Sequence, residues 1–293
     1  MAGADVKGPV RVRNLVLVPI IVLAACGSDE ISVSRGPSTT DVARYSATAT
    51  VLEAPGHGPQ LCLGGVAESY PPQCGGPDVV GWDWNAVDQE ESANGTTWGT
   101  YRVVGTWDGR RLSQTEPAGP PEGGDRSSDD FATPCDPPPG GWAVVDPATT
   151  TDEAQESALS HARDQPDFGG AWVDQREDLG PGSGGVDDGT ANDPTRLVLN
   201  LRFTADLRRH EIEARRVWGG ALCISQARVP LTELLTVQAG LHEELEALTS
   251  SVDEVRGVVA ITVIVADGDL QRTLDARYGA NTVEVSSALR RLP

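Results

Sequence analysis

The sequence predicts an α+β protein of two lobes: a small all-β N-terminal lobe, barrel or sandwich, and a C-terminal α/β lobe with two βαβ-like units. Three observations carry that expectation. Short alternating runs crowd residues 45–115, a Pro- and Gly-rich stretch covers 116–141, and helical periods alternate with apolar runs through 142–293. The 293 residues include 33 Gly and 21 Pro, enough chain for two modest cores with long loops between them.

Ahead of the lobes, residues 1–25 have the layout of a signal peptide. Lys7, Arg11 and Arg13 precede eleven apolar residues, 15–25, and Cys26, Gly27 and Ser28 follow at once. As a helix that run would reach roughly 16 Å, against a hydrocarbon core of roughly 30 Å, and Pro19 would remove a backbone donor inside it. It is too short to span. Residues 26–44, rich in Ser, Thr, Gly and Asp, have no apolar period and read as a flexible tether.

Within residues 45–53, Ala47, Ala49 and Val51 alternate with Ser46, Thr48 and Thr50, the period of a half-buried strand. Residues 61–67 and 79–84 predict further short strands. Residues 97–107, the dipeptide Asp108-Gly109 and residues 110–115 predict a hairpin, since Asp-Gly supplies the positive φ angles of a type I′ turn. Trp82 and Trp84 share parity on the 79–84 run, so both rings are expected on one face. That face is either core or an aromatic platform for a sugar or peptide.

In the second lobe, Thr150 and Glu153 predict a capping box for a helix ending before Pro166. Trp172 and Val173 start a strand, 180–194 reads as a loop, and 197–204 alternates as a strand. Thr204 is expected to cap a helix carrying Leu207, Ala214 and Trp218, ended by Gly219 and Gly220, before a strand at 221–227. Pro230 starts a long helix with the stripe Leu231, Leu234, Leu241, Leu245 and Leu248. A strand at 258–266, a helix at 269–278 and a strand at 282–286 follow. Residues 198–227 and 259–288 thus look like one βαβ unit used twice, the second helix about a turn shorter. Right-handed crossovers would place both on one sheet.

Five cysteines less Cys26 leave Cys62, Cys74, Cys135 and Cys223, an even number suited to an oxidising compartment. Of the three pairings, the expected one joins Cys62 to Cys74 across a short loop and Cys135 to Cys223 between linker and second lobe. No CxxC occurs and no His adjoins a Cys, so neither a metal site nor a cofactor is expected. The formal charge is −20, or −22 once the net-basic leader is removed, which opposes binding to a phosphate backbone and excludes nucleic acid.

Catalytic motifs are incomplete. His210-Glu211 and His242-Glu243 begin a zinc-protease motif, but Ala214 and Glu246 stand where its second histidine belongs, so both histidines read as exposed helix residues. His57 lies in a glycine loop, and Ser183, in Gly-Pro-Gly-Ser-Gly-Gly, lacks the spacing of a nucleophile elbow. Asp187, Asp188, Asn192 and Asp193 could offer oxygens to calcium, yet the EF-hand spacing is missing and they read as a solvated loop. No catalytic residue is assigned.

The segment Leu23-Ala24-Ala25-Cys26 closely resembles the lipobox of bacterial lipoproteins. That resemblance implies diacylglycerol on the Cys26 thiol and a mature chain starting there. Residues 58–64, 71–77 and 81–84 resemble uncharacterised lipoproteins of high-GC Gram-positive bacteria, which implies an address but no activity. Residues 167–174 and 197–204 are more loosely similar to pro-regions of secreted serine proteases, implying a folding-helper or inhibitor-like module; no protease domain follows Pro293 in this sequence.

The expectation is therefore a lipid-anchored protein on the extracytoplasmic face of the cell membrane. It would be a non-enzymatic module whose partners are the membrane and an extracytoplasmic protein, peptide or glycan. The rivals are a protease-associated module acting in trans and a hydrolase built from dispersed carboxylates.

Overall fold

A computed structural model describes residues 42–123, 131–176, 193–266 and 268–293. Its first lobe is made of β1 (Arg44–Ala54), β2 (His57–Cys62), β3 (Asp78–Val80), β4 (Glu91–Ala93), β5 (Thr96–Trp107) and β6 (Arg111–Gln114). β1 pairs with β2 and also with β5, the latter from Arg44↔Thr106 to Glu53↔Thr97. Pairings β2–β3, β3–β6 and β5–β6 complete a ring. The order β1-β2-β3-β6-β5-β1 is a closed five-stranded barrel, with β3 and β6 its parallel pair. Closure removes the strand edges that a sandwich would leave.

Alternation explains the ring. Ala47 and Val51 of β1, Leu61, Val79, Tyr101, Val103 and Leu112 all point inward and are buried, leaving the polar positions between them outside. Gly99 has no side chain because the Tyr101 ring lies over it, and a Cβ there would strike the phenol.

Three local expectations change. The second run starts earlier, at His57, and its strand ends at Cys62, with Ala67 left in an isolated bridge to Gln73. The 79–84 run is a strand only as far as Val80. Gly81 then takes φ +88°, and the Asp83 carboxylate accepts the Asn85 N–H (2.9 Å) to open a 3-10 turn at Trp84–Ala86. The hairpin between β5 and β6 forms, with Trp107 opposite Leu112, so its two central residues are Gly109 and Arg110. Positive φ occurs at Gly109 (+93°) and not at Asp108, as in a type II′ turn. Asp108 instead accepts the N–H groups of Arg110 (2.9 Å) and Arg111 (2.8 Å).

The second lobe repeats a larger unit than the sequence suggests. α1 (Asp152–Arg163), β7 (Phe168–Gln175), β8 (Leu197–Phe203), α2 (Leu207–Ala214) and β9 (Ala221–Gln226) form one αββαβ unit. α3 (Leu231–Glu244), β10 (Thr249–Asp253), β11 (Val258–Val263), α4 (Gly268–Tyr278) and β12 (Val283–Ser287) form another. In each, the first strand pair is antiparallel and the second parallel. The units build two separate three-stranded sheets, not one.

The second crossover helix is also the longer, at 11 residues against 8. α2 stops early because the chain turns after Ala214 to bury Trp218, whose indole N–H donates to the Ala221 carbonyl (3.0 Å). Two caps move too. Thr151, not Thr150, caps α1 by accepting the Ala154 N–H (3.2 Å), while α2 starts from Asp206 in the left-handed region with no side-chain cap.

Leu197, Leu199, Leu201 and Phe203 of β8 pack on Ala158, Ala162, Ala214 and Trp218, and Leu234, Leu241, Val259, Ile261, Leu274 and Val283 make the second core. Two arginines join the units. The Arg202 guanidinium donates to the carbonyls of Glu254 (3.3 Å), Val255 (2.5 Å) and Gln226 (3.1 Å). That of Arg228 donates to those of Ala280 (3.0 Å), Gly257 (3.3 Å) and Asn281 (2.5 Å).

The chain then returns to the barrel. Leu289 is fully buried in the barrel core, and β13 (Arg290–Arg291) pairs with β1 at Ser46 and Tyr45. Leu292 donates its N–H to the Arg44 carbonyl (2.8 Å). Replacing Leu289 by Ala therefore leaves a cavity in the N-terminal lobe although the residue lies at the opposite end of the chain. We expect Leu289→Ala to lower unfolding free energy in urea by about 3 kcal/mol. An unchanged midpoint would contradict this placement.

Candidate functional site

Helices α1 and α2 cover one face of the β7-β8-β9 sheet, and the linker covers the other. Val198, Ala221 and Cys223 on that second face are buried against Cys135 and Trp142. The cover is pinned at four points. The Trp172 indole N–H donates to the Phe131 carbonyl (3.0 Å), and Asp174 accepts the Thr133 N–H (2.9 Å). The Asn200 amide donates to the Thr133 hydroxyl (3.3 Å), and Cys135 is bonded to Cys223.

This pinning leaves the Phe131 ring at the rim of a cleft of about 800 Å³. One wall is Phe131, Ala171 and Trp172, and the other is the segment 251–256 at the end of β10 and in the turn to β11. A further depression of about 520 Å³ continues along Val173, Asp174 and Gln175. Among the described residues β7 pairs only with β8, which leaves its outer edge on this opening.

The far wall is a tight turn. The Gly257 N–H donates to the Asp253 carbonyl (2.7 Å), and the Asp253 carboxylate accepts the Arg256 N–H (2.9 Å) and guanidinium (2.7 Å). Arg256 also reaches Glu284 (2.5 Å). Burial pushes the Asp253 carboxyl up, but the bonds from Arg256 more than offset this and hold it below the ordinary carboxylate range. Glu254 bridges the walls by accepting the Ala171 N–H (2.7 Å). The groups facing the cleft are aromatic surface, carboxylates, the Arg256 side chain and strand backbone, which suit hydrogen bonding to and covering an extended segment. No group of three His, Cys, Asp or Glu side chains that could hold a metal occurs among the described residues.

Both expected disulfides form, Cys62–Cys74 and Cys135–Cys223, with Cα separations of 5.7 and 5.8 Å. Cys26, Ser183, Asp187, Asp188 and Asn192 lie outside the described residues. Asp193 accepts the Thr195 N–H (2.9 Å) and hydroxyl (2.8 Å), closing a turn before β8.

Trp82 and Trp84 are not in the cleft. They are half-buried at the barrel, their rings 5.4 Å apart edge to face, 5.2 and 6.4 Å from the ring of Tyr101, and the Trp84 indole donates to Glu53 (2.6 Å). Burial, then Glu90 and Asp88, raise the Tyr101 phenol.

His210, expected exposed, is buried: its ring stacks on Phe203 at 3.6 Å and Nε2 lies 2.8 Å from the Asp167 carboxylate. His242 is exposed beside the Ser250 hydroxyl (3.1 Å), and His57 is exposed at the start of β2.

The cleft is not legible in the sequence because its walls come from residues 131, 171–175 and 251–256. One usable signal was present: Phe131, a lone large aromatic in a polar Pro/Gly stretch, stands 58% exposed. Compared with known proteins, the chain matches no family model, no curated protein and no solved structure.

The lowered Asp253 carboxyl sets a pH dependence for the far wall. Its folded value lies below an unfolded one of about 3.9, so its stabilisation is present above that value and is lost as pH falls through the folded one. Asp253→Asn is expected to lower the urea midpoint at pH 7, with the difference from the parent closing as pH is lowered past about 3.9. A pH-independent difference would contradict the role given to the carboxylate.

Proposed function

We propose that the chain is a lipid-anchored lipoprotein on the extracytoplasmic face of a membrane, and that it binds a polypeptide partner as a non-enzymatic module. The observation that carries the compartment is the pair of disulfides, which persist in oxidising spaces and are rare in the cytosol. The basic start, the short apolar run and the lipobox-like Leu23-Ala24-Ala25-Cys26 supply a route there. No helix among the described residues is long and apolar enough to cross a membrane. One acyl chain would hold the protein only marginally; two or more hold it stably. The resemblance to lipoproteins of high-GC Gram-positive bacteria supports the same address.

The open cleft beside β7 supports binding, since a concave, partly apolar opening with few polar groups is the usual form of a recognition site. A second reading makes the partner a secreted protease. It is favoured by one observation: residues 167–174, similar to protease pro-regions, include most of β7, the strand that lines the cleft.

Metabolic labelling with a fatty-acid analogue, followed by fractionation and mass spectrometry, tests the anchor. The native chain is expected in the membrane fraction, cut before Cys26 and carrying acyl mass on that residue, whereas Cys26→Ala takes no label. An unmodified sulfur at position 26, or an intact leader, would overturn the reading.

A further inference from the structure

The two small sheets of the second lobe have four outer edges, and the chain covers them unequally. The linker stapled by Cys135–Cys223 covers the face of the sheet at β9, and the Arg202 guanidinium donates to the Gln226 carbonyl at the end of that strand. That of β12 is occupied by Gln271 of α4, whose amide donates to the Val283 carbonyl (2.8 Å) and accepts the Val285 N–H (3.0 Å). On β10, the Gln238 amide of α3 takes the Ser250 carbonyl (3.0 Å). These side chains act as stoppers on groups that would otherwise pair with another strand.

β7 is different. The Arg176 N–H donates to the Arg196 carbonyl (2.9 Å) in the ladder with β8, so even-numbered residues face β8 and odd-numbered ones face outward. Ala171 obeys this parity, giving its N–H to Glu254 across the cleft. Val173 is the next outward residue, and neither its N–H nor its carbonyl has a partner among the described residues. It lies on the continuation of the cleft, beside Phe131 and Trp172.

We infer that the outer edge of β7 at Val173 is the docking strand for an extended cationic peptide that joins the sheet beside β7. An added strand satisfies both backbone groups of Val173, as in other strand-addition complexes. Its side chains alternate across the sheet, which places apolar ones against Phe131 and Trp172. The cationic character follows from charge: the chain carries −20, and Asp174, Asp253 and Glu254 line the opening against one lining cation, Arg256. The same charge opposes a second copy of this chain as the occupant. The inference rests on the reading of the molecule as a polypeptide-binding module and names the class of polypeptide.

The test uses the detergent-solubilised full chain and a capped, fluorescent peptide alternating valine and lysine, read by fluorescence anisotropy. Saturable binding is expected. The same peptide N-methylated at alternate amides keeps its charge and side chains but cannot pair, and should bind at least tenfold more weakly.

Val173→Pro removes an outward N–H without touching the ladder to β8, a change that edge positions tolerate. It should cause a similar loss of binding in the folded variant, while the lost packing of Val173 on the Phe168–Phe203 core lowers the thermal midpoint. Phe131→Ala, at an exposed rim, gives a second variant should Val173→Pro fail to fold. An alternating valine–glutamate peptide should bind at least tenfold more weakly than the lysine form.

Absence of saturable binding, or equal binding by the N-methylated peptide, would overturn the inference. So would undiminished binding by a folded Val173→Pro variant, or equal affinity for the glutamate peptide. Because acylation of Cys26 is read separately, loss of this proposal leaves the anchor standing, and the reverse also holds.

Discussion

The covalent bond between Cys135 and Cys223 closes a problem that the rest of the second lobe creates. A three-stranded sheet has two faces, and α1 with α2 can take only one of them. The other carries Val198, Ala221 and Asn200, all buried, under a proline-rich segment whose residues 132–142 make neither helix nor strand. Such a segment gains no ladder of its own, so tying it across 88 residues restricts the unfolded chain instead, an effect worth about 4.5 kcal/mol in the chain-entropy account. With the cover in place Asn200 finds Thr133, Asp174 finds the Thr133 N–H, and Phe131 is held at the mouth of the cleft. Cover and candidate site therefore both depend on this bond.

The two lobes handle exposed strand edges in different ways. The barrel abolishes them by closing β1 onto β5, and then draws Leu289 and β13 from the end of the chain into its core and rim. The open sheets stopper their edges at single positions with Gln271, Gln238 and Glu254. Between the two αββαβ units, Arg202 and Arg228 spend their donors on carbonyls at strand ends and turns. Burial and the neighbouring Arg228 lower the Arg202 guanidinium from its ordinary range, the cost of placing two cations at one joint.

What could be read from the chain follows the range of the forces involved. Alternation in β1 and β5 and the stripe of α3 record burial directly, so residues such as Val51, Val103, Leu234 and Leu241 are visible as core without any partner being known. The cysteine pairing was accessible through an even count and one short loop. Partners of distant origin were not. Nothing local shows that Leu289 fills the barrel, that His210 lies flat on Phe203, or that the two βαβ units occupy separate sheets. Turn and cap details failed by a single residue, at Thr150 against Thr151 and at Asp108-Gly109 against Gly109-Arg110, because neighbouring residues offer chemically equivalent caps.

The cleft is the extreme case, with walls from three remote segments, one of them irregular. Its existence and the external address share a single premise, that the four cysteines after Cys26 are oxidised in the living cell. Peptide mapping of the native protein, alkylated on cell lysis and digested without reductant, measures this directly. The account predicts Cys62 linked to Cys74, Cys135 linked to Cys223, and no alkylated thiol at any of the four. Alkylation of Cys135 and Cys223 in the native material would contradict it, since neither the linker cover nor the oxidising compartment would then hold.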